Sequence, residues 1–164
     1  MLVQEKDVKI ILGVDPGFSV TGFGVLKKEQ HKTYLLDYGY LKMSPSHSLM
    51  VRVGAFHDFF EDKITQWSVT DLALETPFLG KNTQSFLKLG YLRGILYLLS
   101  NKNSLQLHEF SPREVKLSVT GYGAASKEQV ASVIMRLFPK IRAPDKADVT
   151  DALAVTLCGL WSPR

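Results

Sequence analysis

Cysteine and long apolar runs are scarce in this chain. Cys158 is the single cysteine, so no disulfide can form within the chain. A chain without disulfides suits a reducing compartment, and we expect a cytoplasmic protein. No apolar run approaches the roughly 20 residues that a membrane-spanning helix needs, so we expect no membrane segment. Residues 1–7 include two acids and lack the apolar stretch of a secretory signal.

Positive charge is scarce in the first half of the chain and abundant in the second. Residues 1–80 hold eight Lys and Arg against ten Asp and Glu, which gives a net charge of −2. Residues 81–164 hold twelve against six, which gives +6. An excess of this kind attracts polyanions such as nucleic acids. Charge alone does not distinguish such a surface from an ordinary solvated basic face.

The order of predicted elements indicates one domain. The chain has 164 residues, an ordinary domain size, and we see no repeat or linker, so we assign residues 1–164 to a single domain. Apolar periodicity and two capping boxes, at Ser111 and Ser126, predict the elements. We predict strands at 8–14, 20–26, 34–41, 72–75 and 105–110, and helices at 46–66, 82–100, after 111, after 126, and from Pro144 to about Gly159. This order predicts an α/β fold with a mixed five-stranded sheet and helices on both faces, and it resembles the ribonuclease H-like fold.

Four carboxylates stand in apolar surroundings, far apart in the sequence. Asp15 and Glu75 each end an apolar run, whereas Asp148 and Asp151 are spaced to share one face of a helix. Acids are seldom buried unless they are paired or bound to a metal. The four together therefore predict a cage for hard divalent cations. Such a cage suits phosphodiester cleavage with two metal ions.

Each of these acids also has a plainer explanation. An Asp before Pro16-Gly17 commonly starts a turn, and Glu75 fits the solvent-exposed end of a strand. Acids near a helix start are favoured by the helix dipole, an explanation that is stronger for Asp148 than for Asp151. The joint occurrence of all four favours the metal cage.

The segment Gly13-Val-Asp-Pro-Gly17, followed by Thr21-Gly-Phe-Gly24, resembles the start of the RuvC family of Holliday-junction resolvases. Three further blocks match that family in order: residues 74–82, 87–94 and 147–154. The resemblance covers residues 10 to about 157. It implies a structure-selective endonuclease that resolves four-way DNA junctions by paired nicks, in recombination and repair. It also implies that each active site holds two Mg²⁺ ions, with Mn²⁺ as an alternative, and that Asp15, Glu75, Asp148 and Asp151 are both the catalytic residues and the metal ligands.

The resemblance also implies residues that contact DNA. Phe78 matches an aromatic residue that stacks on bases opened at the junction centre, although composition alone favours a core position for an aromatic residue. Lys116 and Lys127 match basic residues near the scissile phosphate, although a lone lysine is usually solvated. Weaker candidates for phosphate contacts are Lys81, Lys88, Arg93 and Arg113.

The expected partners are four-way junction DNA, a second copy of the chain and, by resemblance, the RuvA–RuvB branch-migration complex. Paired cuts need two active sites, which a two-fold homodimer supplies. Residues 82–100 form the candidate interface helix, because apolar residues cover more of its circumference than one core-facing stripe needs. The alternative is a helix buried on two sides within its own domain.

Three other functions compete with this interpretation. One is another ribonuclease H-like nuclease, acting on an RNA–DNA hybrid or on duplex DNA. A second is a sugar-kinase or actin-like nucleotide-binding domain, which needs a second lobe and therefore a longer chain. The third is a non-catalytic junction-binding module, against which the four intact acids argue.

Overall fold

The structure is a computed structural model that describes residues 8–77, 82–142 and 147–163. Our predictions for Phe78, Lys81 and Pro144 lie outside the described residues. The described elements, in chain order, are β1 (Val8–Asp15), β2 (Val20–Glu29), β3 (Lys32–Lys42), α1 (Leu49–Trp67), β4 (Asp71–Glu75), α2 (Thr83–Lys102), β5 (Gln106–Phe110), α3 (Pro112–Thr120), α4 (Lys127–Leu137) and α5 (Ala147–Trp161). In these parts of the chain no helix is both long and apolar enough to cross a membrane.

The five strands form one mixed sheet in the order β3-β2-β1-β4-β5. The first three strands are antiparallel, because short loops join them as hairpins. Helix α1 intervenes before β4, which returns parallel to β1, and β5 then pairs parallel to β4. The predicted α/β class and the mixed five-stranded sheet are confirmed.

Helices cover both faces of the sheet, as predicted. On one face α1 and α2 pack against apolar side chains of β1, β2 and β4. On the other face α3, α4 and α5 pack on the sheet around a second apolar cluster. Helix α5 is buried almost all round, from Val149 to Leu160, because it lies between the sheet and the other two helices.

Helix α5 approaches β1 and β2 unusually closely, because glycines face it. A Cβ atom at Gly22 would overlap the carbonyl oxygen of Asp148, and one at Gly13 would overlap the side chain of Thr156. Gly22 pairs with Asp15 across the two strands. The missing side chain therefore lets the start of α5 lie beside the end of β1.

Local sequence signals set most helix starts. Ser111 and Ser126 both form complete capping boxes, so α3 and α4 begin where predicted. Helix α1 begins at Leu49 rather than at residue 46, because the Ser48 side chain accepts a hydrogen bond from the backbone N–H of Val51 and caps it. Strands β2 and β3 both extend beyond their predicted ends toward the hairpin turn between them.

Candidate active site

The four predicted acids come from three elements that meet at one end of the sheet. Asp15 ends β1 and Glu75 ends β4, and these parallel neighbours are in register, with Val14 opposite Leu74. Asp148 and Asp151 lie in the first two turns of α5. The carboxyl ends of two adjacent strands and the start of one helix thus bring the four acids together.

The loop after Asp15 is held by a side chain of the same motif. The Thr21 hydroxyl donates a hydrogen bond to the carbonyl oxygen of Gly17 at 2.8 Å and accepts one from the Gly17 N–H at 3.1 Å. Thr21 is fully buried. This double contact fixes the turn that follows Asp15 and explains why a Thr stands at this point of the motif.

Negative charge is crowded at this site. The pKa of Asp15 is raised from its ordinary 3.8 to about 7. Burial is the largest cause, the charges of Asp151, Asp148 and Glu75 act in the same direction, and Lys127 opposes them. Burial also raises the pKa of Glu75, again with Asp151 contributing. Acids with raised pKa values are short of positive charge. A cation bound here would lower those pKa values.

Two lysines face the acids across a pocket of about 190 Å³. Lys127, the first residue of α4, donates a hydrogen bond from Nζ to Oδ2 of Asp151 at 2.9 Å, and this contact raises the pKa of Lys127. Lys116, in α3, lowers the pKa of Glu75 through its charge. This pocket is lined by Asp15, Glu75, Asp151, Lys116 and Lys127, whereas Asp148 does not line it.

The residues of the pocket fit a hard divalent cation by their chemistry. Carboxylate oxygens are the ligands that Mg²⁺ takes from proteins. The pKa of Asp15 is raised by burial and by the charges of three neighbouring acids, and a bound cation would offset both effects. Within residues 8–77, 82–142 and 147–163, however, no three His, Cys, Asp or Glu side chains stand close enough to enclose an ion. Lys127 is bonded to Asp151 instead.

The structure corrects the prediction that Arg93 contacts DNA. Arg93 is only 6% exposed; its Nη1 donates to the carbonyl oxygen of Glu75 at 2.6 Å, and its Nη2 pairs with Glu109. The sequence did hold a warning, because Arg93 lies three residues before Leu96 and seven before Ser100, which are buried on the same helix face. Arg93 therefore supports the strand end that carries Glu75.

Sequence reasoning also missed two features near the acids. The approach of α5 to Gly22 depends on a contact between residues 126 positions apart, which no local pattern reveals. The contact of Arg52 with Phe18 likewise joins α1 to the loop between β1 and β2. Arg113, a weaker candidate, packs along Gly123 through its side chain.

The sheet order and the acid cluster place this chain in the ribonuclease H-like class of α/β folds. The family model described as crossover junction endodeoxyribonuclease RuvC matches residues 11–159. Among curated relatives, the RuvC proteins of Pelodictyon phaeoclathratiforme and Legionella pneumophila are 45% and 38% identical to the chain. These matches cover 92% and 91% of this chain, and 79% and 85% of the relatives.

Solved structures agree with this assignment. Thermus thermophilus RuvC in complex with its Holliday junction substrate superposes with a TM-score of 0.86 at 26% identity, and the match covers 93% of each chain. The yeast mitochondrial Holliday junction resolvase shares the fold alone, with a TM-score of 0.65 at 12% identity over 92% of this chain and 77% of that one. The chain belongs to the RuvC family.

Proposed function

We propose that this protein is a crossover junction endodeoxyribonuclease that cuts four-way DNA junctions by paired, symmetric nicks. The observation that carries the proposal is the pocket in which acids from β1, β4 and α5 face Lys116 and Lys127. A cluster of acids beside two lysines suits a substrate whose reacting group is a phosphate. The named activity of the curated relatives and the junction bound to the Thermus protein support the same conclusion.

The chain's own residues divide the chemical work. Asp15, Glu75, Asp148 and Asp151 would hold two Mg²⁺ ions, or Mn²⁺ in their place, which would activate water and stabilise the leaving oxygen. Lys127 then exchanges its bond to Asp151 for the scissile phosphate, while Lys116 offsets charge from the side of α3. Arg93 fixes the backbone carbonyl of Glu75 and so orients that acid.

Two further DNA contacts belong to the proposal, and the resemblance of their sequence segment to the family supports them. Phe78 stacks on a base opened at the junction centre, and Lys81 contacts a phosphate nearby. For Phe78→Ala we expect cleavage to fall about tenfold, since base stacking is worth roughly 1–3 kcal/mol, while the melting temperature stays within a few degrees. A fall of roughly ten degrees or more would instead assign the ring to the core.

The proposed homodimer forms through the outer face of α1 and α2. Leu92, Leu96 and Leu99 of α2 are fully buried, and they satisfy the domain's own core. Other apolar side chains of the two helices remain exposed: Leu49, Met50, Leu87, Tyr91 and Leu98. Between them, Gly54, Gly90 and Gly94 have no atom within 4 Å of where a Cβ would lie. A second copy of the chain would cover this surface closely.

Mixed dimers test this arrangement, because the chain carries one set of acids while two cuts are needed. A dimer of one parent subunit and one Asp15→Asn subunit is expected to nick a single strand of each junction. The protein can also be assayed well below its dimer dissociation constant. If it still makes both cuts in one encounter, the dimer argument is wrong. Light scattering of Leu98→Glu, which places a charge on the outer face, checks the surface itself.

A cleavage panel tests the function as a whole. We expect Mg²⁺-dependent nicking of a synthetic four-way junction, and at least tenfold slower cutting of linear duplex and of an RNA–DNA hybrid. Preference for the hybrid would favour a ribonuclease H-type activity.

We also propose that the protein is located in the cytoplasm and that it acts together with the RuvA–RuvB motor. Co-purification with RuvA and RuvB on a junction checks the second of these.

A further inference from the structure

Beside the acidic pocket lies a second recess, of about 360 Å³. The loop between β1 and β2 contributes Phe18, the start of α1 contributes Arg52, and the start of α2 contributes Gln84, Leu87 and Lys88. Its volume lies within the range of small-ligand sites. Two cations and no acid line it.

The cations of this recess are arranged around a single aromatic ring. The guanidinium carbon of Arg52 lies 4.1 Å from the centre of the Phe18 ring, and Nζ of Lys88 lies 5.9 Å from it. Arg52 is fixed there because its Nη2 donates to the carbonyl oxygen of Phe18. Its buried Nε has no hydrogen-bond partner among the described residues. Among the residues that the structure describes, the recess thus concentrates positive charge and no acid lines it.

The ends of two long helices add to this positive charge. Helices α1 and α2 both begin at the recess, and neither has an acid in its first turn. The N-terminal end of a helix carries a partial positive charge. Side chains and helix ends therefore favour the same ligand, which is an anion with an apolar portion to lie against Leu87.

The position of the recess limits which anion reaches it. Phe18 follows Asp15 by three residues, so their Cα atoms are at most about 11 Å apart. Successive phosphates of one DNA strand are spaced about 3.4 Å along the helix axis. A strand that has its scissile phosphate at Asp15 and runs toward Phe18 therefore brings another phosphate to the recess within about three nucleotides.

We propose that Arg52 and Lys88 bind a backbone phosphate of the cleaved strand, within about three nucleotides of the cut, with the sugar or base against Leu87. This inference rests on the proposed function, since it places the same DNA strand in both pockets. It gives the enzyme a second hold on the strand, which fixes the register of the scissile phosphate over the acids.

The recess overlaps the edge of the proposed dimer surface, because both include Leu49, Leu87 and Tyr91. Arg52 and Lys88 belong to the recess alone. Any partner that covers the recess must bring a charge opposite to Arg52 and Lys88, because burying these cations unpaired is costly. DNA phosphates supply that charge.

The experiment neutralises phosphates one at a time. Junctions carry a single methylphosphonate at each of the four positions on either side of the cut, and binding is measured without divalent metal. For the parent protein we expect one position, apart from the scissile phosphate, to weaken binding about fivefold. Lys88→Gln is expected to bind the unmodified junction about fivefold more weakly than the parent does. A methylphosphonate at the sensitive position should then weaken its binding no further. The salt slope of Lys88→Gln should be about 0.9 lower for the lost phosphate.

Lys102→Gln is the matched control, because Lys102 is an exposed lysine at the other end of α2 that pairs with Glu61. We expect it to keep both the parent affinity and the sensitive position. Lys88→Arg is expected to restore the sensitivity that Lys88→Gln loses. Unchanged mass and melting temperature confirm that the dimer and the fold are intact.

Two results would overturn the inference. The first is that methylphosphonates weaken junction binding by Lys88→Gln at the same positions as for the parent. The second is that Lys102→Gln loses the sensitive position as Lys88→Gln does. Failure of the proposed function has a different signature, because the parent itself would then bind junctions no better than linear duplex.

Discussion

Strand β4 carries an acid at each end, and the two ends differ in how those acids are neutralised. Asp71 begins β4 and Glu75 ends it, about 13 Å apart at 3.3 Å per residue. At the first end, Asp71 is 1% exposed and lies 2.8 Å from Nε2 of His108 and 3.7 Å from Nζ of Lys9. At the other end, Glu75 joins three further acids that share Lys116 and Lys127.

The difference shows that burial alone does not make an acid functional. Asp71 is more deeply buried than Asp15, yet Lys9 of β1 and the imidazole of His108 of β5 contact it, so it serves the fold. Asp15 meets mainly other acids, and its pKa rises to about 7. The neighbours of the two acids separate the site from the structural cluster: a lysine and an imidazole lie beside Asp71, whereas carboxylates lie near Asp15.

The largest expected difference between the two ends is in catalysis. Changing Asp15 or Asp151 to Asn, or Glu75 to Gln, should reduce junction cleavage on the order of a hundredfold or more, because each change removes ligand charge from the metal site. Junction affinity should stay within about threefold. Single-turnover cleavage and gel-shift assays measure the two quantities. Asp71→Asn is the control at the other end, and its folded protein should cut at nearly the parent rate. Cutting by Asp15→Asn at a tenth of the parent rate would contradict the metal cage.

Stability should show the reverse order. Asp71→Ala leaves Lys9 and His108 buried beside a lost counter-charge, which typically costs about 3–5 kcal/mol. Urea unfolding measures this loss in the free energy of unfolding. The control is Glu61→Gln, which removes an exposed ion pair with Lys102 and should cost less than about 1 kcal/mol. Equal losses for the two variants would mean that the Asp71 cluster contributes no more than a surface pair.

The raised pKa of Asp15 predicts a pH dependence of the metal-free protein. Its folded-state pKa of about 7 lies above the ordinary 3.8, so the folded state binds more protons between these pH values, and stability falls as the pH rises through them. The full difference corresponds to at most about 4 kcal/mol, and we expect about 2 because neighbouring acids share the proton. Asp15→Asn has no carboxyl at this position, so its free energy of unfolding should not fall in this way as the pH rises.

Thermal unfolding in a chelator at pH 4.5 and pH 8.5 gives the measurement. Asp15→Asn should gain stability relative to the parent at the higher pH, and Mg²⁺ should narrow the gap by neutralising the parent's acids. A stability difference that stays constant between the two pH values would show that Asp15 is not crowded by negative charge.

The smallest expected effect concerns Arg93, a buried residue that donates a hydrogen bond to the carbonyl oxygen of Glu75. Arg93→Lys cannot reproduce the forked contact with Glu75 and Glu109, and we expect a roughly fivefold lower cleavage rate. Junction affinity and its salt dependence should not change, whereas Lys116→Gln should lower the salt slope by about 0.9. A reduced salt slope for Arg93→Lys would restore the original assignment of Arg93 as a DNA contact.

Local signals made much of this molecule predictable. The two capping boxes need only four residues each, so the starts of α3 and α4 follow directly from the sequence. Asp15 and Glu75 end apolar runs, and the ends of neighbouring parallel strands meet, so their proximity was also predictable. Arg93 was misassigned because its partner is a backbone carbonyl on a distant strand. The recess of Arg52 and Lys88 depends on the packing of α1 against α2, which no single segment encodes.

The glycine contacts of α5 make one dimension of the active site non-adjustable. At Gly22 the helix meets the strand backbone to backbone, so no rotamer change can absorb a shift between Asp148 and the end of β1. Even the smallest substitution at Gly22, to alanine, places a Cβ atom that overlaps the main chain of Asp148. Any evolutionary adaptation of the site to a different ion or strand geometry is therefore confined to the acids themselves, where an exchange of Asp for Glu or His changes reach without moving the scaffold.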